Sequence, residues 1–568
     1  MPSAVTAVIV VDQGLISAYG DGVACCADGL LSGRSALVRA GDICLANLSE
    51  MPVGSVPGLG RGTGRLMRLL ERLFCVAHTI PSDAVIYAST TVGEIDVLEA
   101  AVREDKKEDT DESRVSTLSA RVADLLNGSS ETRLTVSAAC ASSTAAVAMA
   151  ASAIRRGEIS CALVVGCDTV SEFTLSGFSA LMALDAQGAR PFDVGRKGVS
   201  LGEAAAYVVL MSDERAAKEG RLAQGVVHGW GMTCDANHLT GPSRDGIPLA
   251  DAVEQALSLS GMKADDVEAI CAHGTGTPYN DQMEMLAFQR AMNSRKVPLF
   301  SVKGGMGHTL GAAGLAEMLL SLEFLKRGMI PATVGMSEAS PEAVGWTSTE
   351  AQAILKDGVV LTTNSGFGGV NVALIVSRTT TQKRIPESRT LGQKDARTQE
   401  KIPARHDVVS QAAFVPPKHF ARFSADAQRA SLALAERLPK EGLFLDTESL
   451  LRWNVEGLPL ARVGLLVWNR DGSVKVNRAY FSDYVSAGSV LGRGQLFAAT
   501  LPTSVASEVA IALRLKGPLM YVANKDGSDV AARHVAEQCI GDGLADAMIL
   551  LDTDEAEVKI VFMKEGCV

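Results

Sequence analysis

Three side chains of this sequence sit where a nucleophile and its acid–base partners could work. Cys140 follows the strand-like LTVSA and directly precedes ASSTAAVAMAASAI, a small-residue run of helical composition. A thiol at a helix N-terminus meets free N–H groups and the positive end of the helix dipole, both of which favour thiolate. Such a cysteine can act as a nucleophile, with nearby N–H groups receiving an oxyanion. A buried structural cysteine is the plainer alternative. His273 follows the strand-like VEAICA and opens HGTGTPYND, a Gly/Thr loop that a ligand can approach closely. SVKGGMGHTLGAAGLAEM (301–318) puts Lys303 and His308 in a Gly-rich loop that opens a helix, with Glu317 further along it. One isolated histidine reads as structural. Two in such loops, with a helix-start cysteine, make a nucleophile-and-base set.

The elements that must hold these loops read as α/β. Residues 1–379 alternate apolar strand runs with Ala-rich helical stretches; AVTAVIVV, AVIYAST (84–90), CALVVGCD (161–168) and VALIVS (372–377) are examples. Continuous apolar strands with intervening helices predict sheets covered on both faces. Glu104–Arg114 is almost wholly charged and reads as a solvated loop or helix end. Residues 380–414 have the polar composition of a linker. Structure is expected to resume at 415 and run to 568. There the apolar positions of 517–554 coincide with those of 134–170, and 462–474 falls opposite 83–95. Gly157 and Gly543 take equivalent places between helix and strand. Residues 415–568 therefore read as a second, partial copy of the first unit.

CASS, HGTGTP, KGGMGHTLGAAG and NSGFGGVN, in this order, resemble the β-ketoacyl-acyl-carrier-protein synthases, condensing enzymes of the thiolase superfamily. GFSALMALD (177–185), RPFD (190–193), GEAAA (202–206) and DANHLT (235–240) fall in line with them. The resemblance covers about residues 1–379 and implies a thiolase-like fold of two similar βαβαβ halves in α-β-α-β-α layers. It implies that Cys140 takes an acyl chain from a carrier-protein thioester. His273 and His308 would promote decarboxylation of a malonyl thioester and stabilise the enolate oxygen. The N–H groups of Cys140 and Phe367 would form the oxyanion hole. Lys303 would hold the histidine pair electrostatically, with Glu317 organising from behind. Thr275, Thr277 and Thr240 would touch the pantetheine arm, and Phe178 would line the acyl pocket. No metal or other cofactor is implied; the substrates ride on the phosphopantetheine of acyl carrier protein. A homodimer or a synthase heterodimer is implied, as is a cytoplasmic location.

Three features depart from that pattern. The loop Asn364–Asn371 lacks one Phe that the family has between Asn-Ser and Gly-Phe-Gly-Gly, and Val370 replaces a Thr. The stretch 91–134 is short and charged where the family has an apolar insert. In the partial copy Asp526 falls opposite Cys140, and no second histidine pair follows, so 415–568 reads as a catalytically dead half. It is expected to cover an exposed face or serve as a built-in partner. A thiolase using coenzyme A would need a second catalytic Cys in NSGFGGVN, which has none. A non-catalytic chain-length-factor-like partner would not need Cys140, His273 and His308.

Composition bounds the rest. The 568 residues carry 54 basic and 65 acidic side chains, a net charge of −11, which lends nucleic-acid binding no support. No run of about 18 apolar residues lacks charge, so no membrane-spanning helix is expected. The start has no basic segment of the signal-peptide kind. Eleven scattered cysteines without CxxC pairs suggest reduced thiols. Aromatic residues are 5% of the chain against 54 glycines, so the core must be built from small and aliphatic side chains.

Overall fold

A computed structural model describes residues 6–378 and 417–564, except 43–47, 61, 76, 78–79, 107–110, 127–132, 418, 438–442, 446–450, 454–461, 525–526 and 554–558. The linker expected over 380–414 lies outside the described residues, as does Asp526.

The strands follow the apolar runs. In the first half they are Val8–Ser17, Val85–Ser89, Arg133–Ser137, Cys161–Asp168 and Ala204–Ser212. Numbered by their order along the chain, they lie across the sheet as 3-2-4-5-1. In the second half, Gly225–Cys234, Val267–Cys271, Leu299–Phe300, Val359–Gly366 and Val370–Ser377 lie in the same 3-2-4-5-1 order. The halves meet where Val8–Val10 pair antiparallel with Gly225–Val227. Two similar α/β halves are thus present, as the resemblance implied.

The middle of the molecule is where small residues matter. The helix Ser142–Arg155 is buried from Ser142 to Ile154, and the helix Ala313–Arg327 from Ala313 to Leu325. A helix enclosed on every side cannot be amphipathic, and SSTAAVAMAASAI is not. The two helices approach closely: Leu315 N–H donates to Ser143 Oγ at 2.9 Å, and a Cβ on Gly314 would overlap Thr144. The first helix also packs on Val370–Ser377 of the other half. Bulkier side chains would drive these layers apart, since cores at crystal-like density tolerate little added volume.

The C-terminal strands Val463–Trp468, Leu519–Ala523, Ala547–Asp552 and Lys559–Lys564 lie as 3-2-4-5 without strand 1, so the order is again that of a half, truncated at its start. Gly157 and Gly543, at φ 72° and 70°, turn helix into strand in both copies. The copy does not stand apart. Its Leu519–Ala523 pairs antiparallel with Arg133–Ser137, Val522 opposite Val136. It thereby covers the backbone edge beside the Cys140 loop, an edge that would otherwise need protection.

The charged stretch 104–114 is not simply solvated; its described part meets this copy. Arg114 is ion-paired to Asp471 at 3.0 Å, and Arg478 donates to the Lys106 carbonyl at 2.7 Å. Position in space, not composition, made it an intramolecular contact. A buried polar junction lies nearer the core, where Trp230 Nε1–H donates to Asp542 at 2.9 Å. The Arg155 guanidinium lies 4.3 Å over the Trp230 ring. Among the described residues, no helix is long and apolar enough to cross a membrane.

Candidate functional site

Cys140 stands between Arg133–Ser137 and the buried helix that starts at Ser142. The turn is sharp: Ala139 holds φ at 51°, a left-handed value uncommon for a residue with a Cβ. Ser142 Oγ secures the turn, accepting from Ala138 N–H at 2.9 Å. Gly366 is required opposite it, because a Cβ there would press to 3.1 Å from Cys140 N and 3.0 Å from the Ala138 carbonyl.

The expected thiolate is not what the resting site holds. Burial pushes the Cys140 thiol up to about 12, with Lys303 and the N–H groups of Phe367 and Cys140 pulling the other way. A rise of that size corresponds to about 4 kcal/mol. A helix dipole supplies about 1 kcal/mol in ordinary geometry, so desolvation wins. The thiol is neutral until a substrate or base takes its proton. The same two N–H groups that reach the sulfur are those assigned to the oxyanion hole.

His273 and His308 come together from different halves of one sequence region. The strand Val267–Cys271 delivers His273, and the helix Pro278–Ala291 follows with Pro at its first turn. Glu284 on that helix reaches back and accepts from the N–H groups of His273 and Gly274, each at 2.7 Å. Burial raises the Glu284 carboxyl to about 8. His308 follows the short turn Lys303–Met306 and is clamped through its backbone to Ser200 and Gly202 at 2.7 and 2.8 Å. The two imidazole rings lie 5.1 Å apart and nearly perpendicular, at 88°. Burial, and then the Lys303 charge, hold both well below the usual imidazole range. They are neutral at physiological pH.

Lys303 is 1% exposed and donates to Glu317 at 2.5 Å. Glu317 is therefore its direct partner, as well as that of Asn364, whose Nδ2 donates to the second carboxylate oxygen at 2.8 Å. Asn364 is the residue that sequence reasoning left without a role. Its Oδ1 accepts from Thr144 at 2.6 Å, which fixes the amide orientation. Its Nδ2 then faces His273 Nδ1 at 3.4 Å. A donor there makes Nδ1 the acceptor and leaves the proton on Nε2. Asn364 stood in NSGFGGVN, but its partners come from three distant segments. Glu284 could have been suspected as an acid nearly two helix turns into the segment after HGTGTP.

Phe367 sits at the tip of a hairpin closed by Gly366 opposite Val370, with Gly368 and Gly369 at φ 86° and 83°. The loop is short, as its missing residue implied. The Phe367 ring stacks on Phe178 at 5.4 Å, so both assigned positions meet beside Cys140. Thr275 and Thr277 bond each other at 2.8 Å next to His273. Thr240 lies on a separate loop, 3.4 Å from His238 Nδ1; that loop reaches the hairpin through the Leu239 carbonyl, which accepts from Gly368 N–H.

The cavity beside Cys140 is lined by Phe178, Leu310 and Phe367, and also by Phe497, Thr500 and Leu501 of the C-terminal copy. Sequence reasoning did not anticipate the last three. Among the described residues, no group of three or more His, Cys, Asp or Glu side chains is placed to hold a metal ion.

Comparison with known proteins places this geometry in context. Residues 81–216 match the β-ketoacyl synthase N-terminal domain and 224–337 its C-terminal domain. The actinorhodin polyketide putative β-ketoacyl synthase 1 of Streptomyces coelicolor is 34% identical over 251 residues, 42% of this chain and 54% of that protein. The chain spans little more than half the length of the curated relatives it matches. The structure of the ishigamide ketosynthase/chain length factor is 30% identical and covered in full by 66% of this chain, at a TM-score of 0.61. The PfaC ketosynthase–chain length factor is 15% identical, yet its fold is followed over 97% of this chain and 74% of that one, at a TM-score of 0.69.

Proposed function

Because the chain belongs to the β-ketoacyl synthase family, we propose that it is a condensing acyltransferase that joins an acyl chain held on Cys140 to a malonyl thioester presented by acyl carrier protein. The observation that carries this reading is the neutral His273–His308 pair in one buried site with Cys140, all three under the charge of Lys303.

In the first step the Cys140 sulfur attacks the acyl thioester and gives up its proton, and the carrier thiol leaves. Negative charge on the carbonyl oxygen falls to the N–H groups of Cys140 and Phe367. Fixed donors of this kind are worth about 3–4 kcal/mol each in acyl transfer. A malonyl thioester then enters and loses CO2; the electrons of the broken C–C bond become its enolate. Neutral imidazoles can donate to that oxygen, whereas a protonated pair could not be held in so dry a site. Asn364 supports the Nε2–H form of His273 for this task. The enolate carbon attacks the acyl group, Cys140 leaves as thiolate, and one proton is taken up to restore the thiol. The Lys303 charge favours each anionic stage, and its ion pair with Glu317 keeps it in place. Thr275 and Thr277, with Thr240 on the facing loop, are assigned to the pantetheine arm. No cofactor beyond that arm is assigned.

We assign acyl carrier protein as the partner and residues 415–568 as a non-catalytic half. The test is direct. Incubation with an acyl-carrier-protein thioester should add the acyl mass to Cys140, and malonyl-carrier protein should then discharge it as a β-ketoacyl product. Absence of any adduct, together with stimulation of a separate synthase, would favour a chain-length-factor-like role instead.

A further inference from the structure

The wall of the Cys140 cavity is built in part by the C-terminal copy. The short helix Gly494–Ala498 of the C-terminal copy brings Phe497 against the helix Glu172–Ala180. The Phe497 ring lies 5.9 Å from Phe173, 5.7 Å from Phe178 and 5.4 Å from Tyr480. It is 6% exposed. Gly177 is shaped to receive it, since a Cβ at that position would overlap the ring. Tyr480 is itself anchored, its hydroxyl 2.9 Å from Ser176 Oγ. The ring therefore has one place to be, and that place lines the cavity with Cys140. Phe178, which stacks on Phe367, joins Phe497 to the hairpin tip. What remains beside Cys140 is about 20 Å³, room for little more than one water-sized group.

We infer that Phe497 is a specificity-determining residue: the C-terminal copy supplies, within the same chain, the end wall that restricts the acyl group on Cys140 to acetyl size. This rests on the reading of Cys140 as the acylated residue. A ring locked by aromatic neighbours on several sides resists displacement by a longer chain, while an acyl group of two carbons extends little beyond the sulfur.

The test compares acetyl- and octanoyl-carrier-protein thioesters on the full chain, following the mass gained at Cys140 over time. The native chain is expected to load acetyl about tenfold or more faster than octanoyl. F497A is expected to raise the octanoyl-to-acetyl ratio by about tenfold or more, and F497L, which keeps aliphatic bulk in the cluster, by an intermediate factor. Thermal melts accompany each protein; should F497A not melt cooperatively, F497L carries the comparison. A ratio unchanged in the folded variants, or a native chain that loads octanoyl as readily as acetyl, overturns the inference while leaving Cys140 as the acylated residue. Failure of every thioester to add mass to Cys140 overturns the condensing reading itself, and the acyl limit falls with it.

Discussion

The segment 133–168 and its C-terminal counterpart 519–552 share one topology and have opposite fates. In both, a helix follows a strand along the chain, and a glycine at positive φ returns it to a second strand. In the first, the helix is wrapped on every side, and the loop before it faces the other half of the same unit. In the second, the helix Val530–Gly541 keeps an outer face: Val530 is exposed, and His534 turns to Glu158 at 3.2 Å. The loop that carries Cys140 is the one enclosed between two halves. In the copy, Phe497, Thr500 and Leu501 supply a wall of the Cys140 cavity, and Leu519–Ala523 supplies an edge partner. On the proposed function, the chemistry draws on residues of both halves, not on the strand–turn–helix alone.

The largest expected effect breaks the reactive member of the pair. Cys140→Ala should abolish acyl adducts and lower condensation by about 10⁴-fold or more, the scale on which nucleophile removal acts; mass spectrometry and product formation read it. The junction between the copies comes next. Val522→Pro interrupts the pairing with Val136 and should cost about 3 kcal/mol, seen as a lower Tm and as altered acyl loading if the copy shapes the site. An unchanged melt and unchanged loading would show the junction to be incidental. Asn364→Ala should lower kcat by about 10²-fold, because it releases His273 from its fixed tautomer and position; KM for the malonyl donor should move far less. A parallel fall in KM-dependent and kcat terms would argue for general loosening instead.

The pH profile is a finer probe. Both histidines of the buried pair are held well below 6.5 by burial and Lys303. A depressed imidazole stays neutral in the folded protein while the unfolded chain takes up protons, so acid costs stability below about 6.5, not activity first. Condensation by the folded protein should therefore show no loss with a midpoint near 6.5 as pH falls from about 8 to about 6. A midpoint there would mean the pair is ordinary. The smallest effect expected is in the copy: Asp526→Ala should leave acyl loading unchanged, because the residue aligned with Cys140 carries no reaction. A large loss would undo the contrast between the two segments.

Local pattern made most of the site legible. Cys140, His273, Lys303 and His308 each lie in a strand-to-helix loop whose glycines and small residues betray close approach, and all converge. Phe178 and Phe367 also meet. Asn364, although inside a quoted motif, could not be given its role, because Thr144, Glu317 and His273 come from three other segments. The charge state of Cys140 was misjudged for a related reason: a helix start is visible in sequence, but the depth of burial that outweighs it is not. Phe497 was out of reach altogether, since it looked like one more apolar residue in a degenerate copy.

By itself the sequence determined the alternation of strand and helix, the repeated apolar pattern, the small-residue helices and the residue types in each site loop, because these follow from local periodicity and turn chemistry. Tertiary structure decided which loops face one another, how dry the site is and which copy supplies the far wall of the cavity. Those are properties of packing between segments hundreds of residues apart, and electrostatics and pocket size both depend on what stands opposite, not on what comes next in the chain.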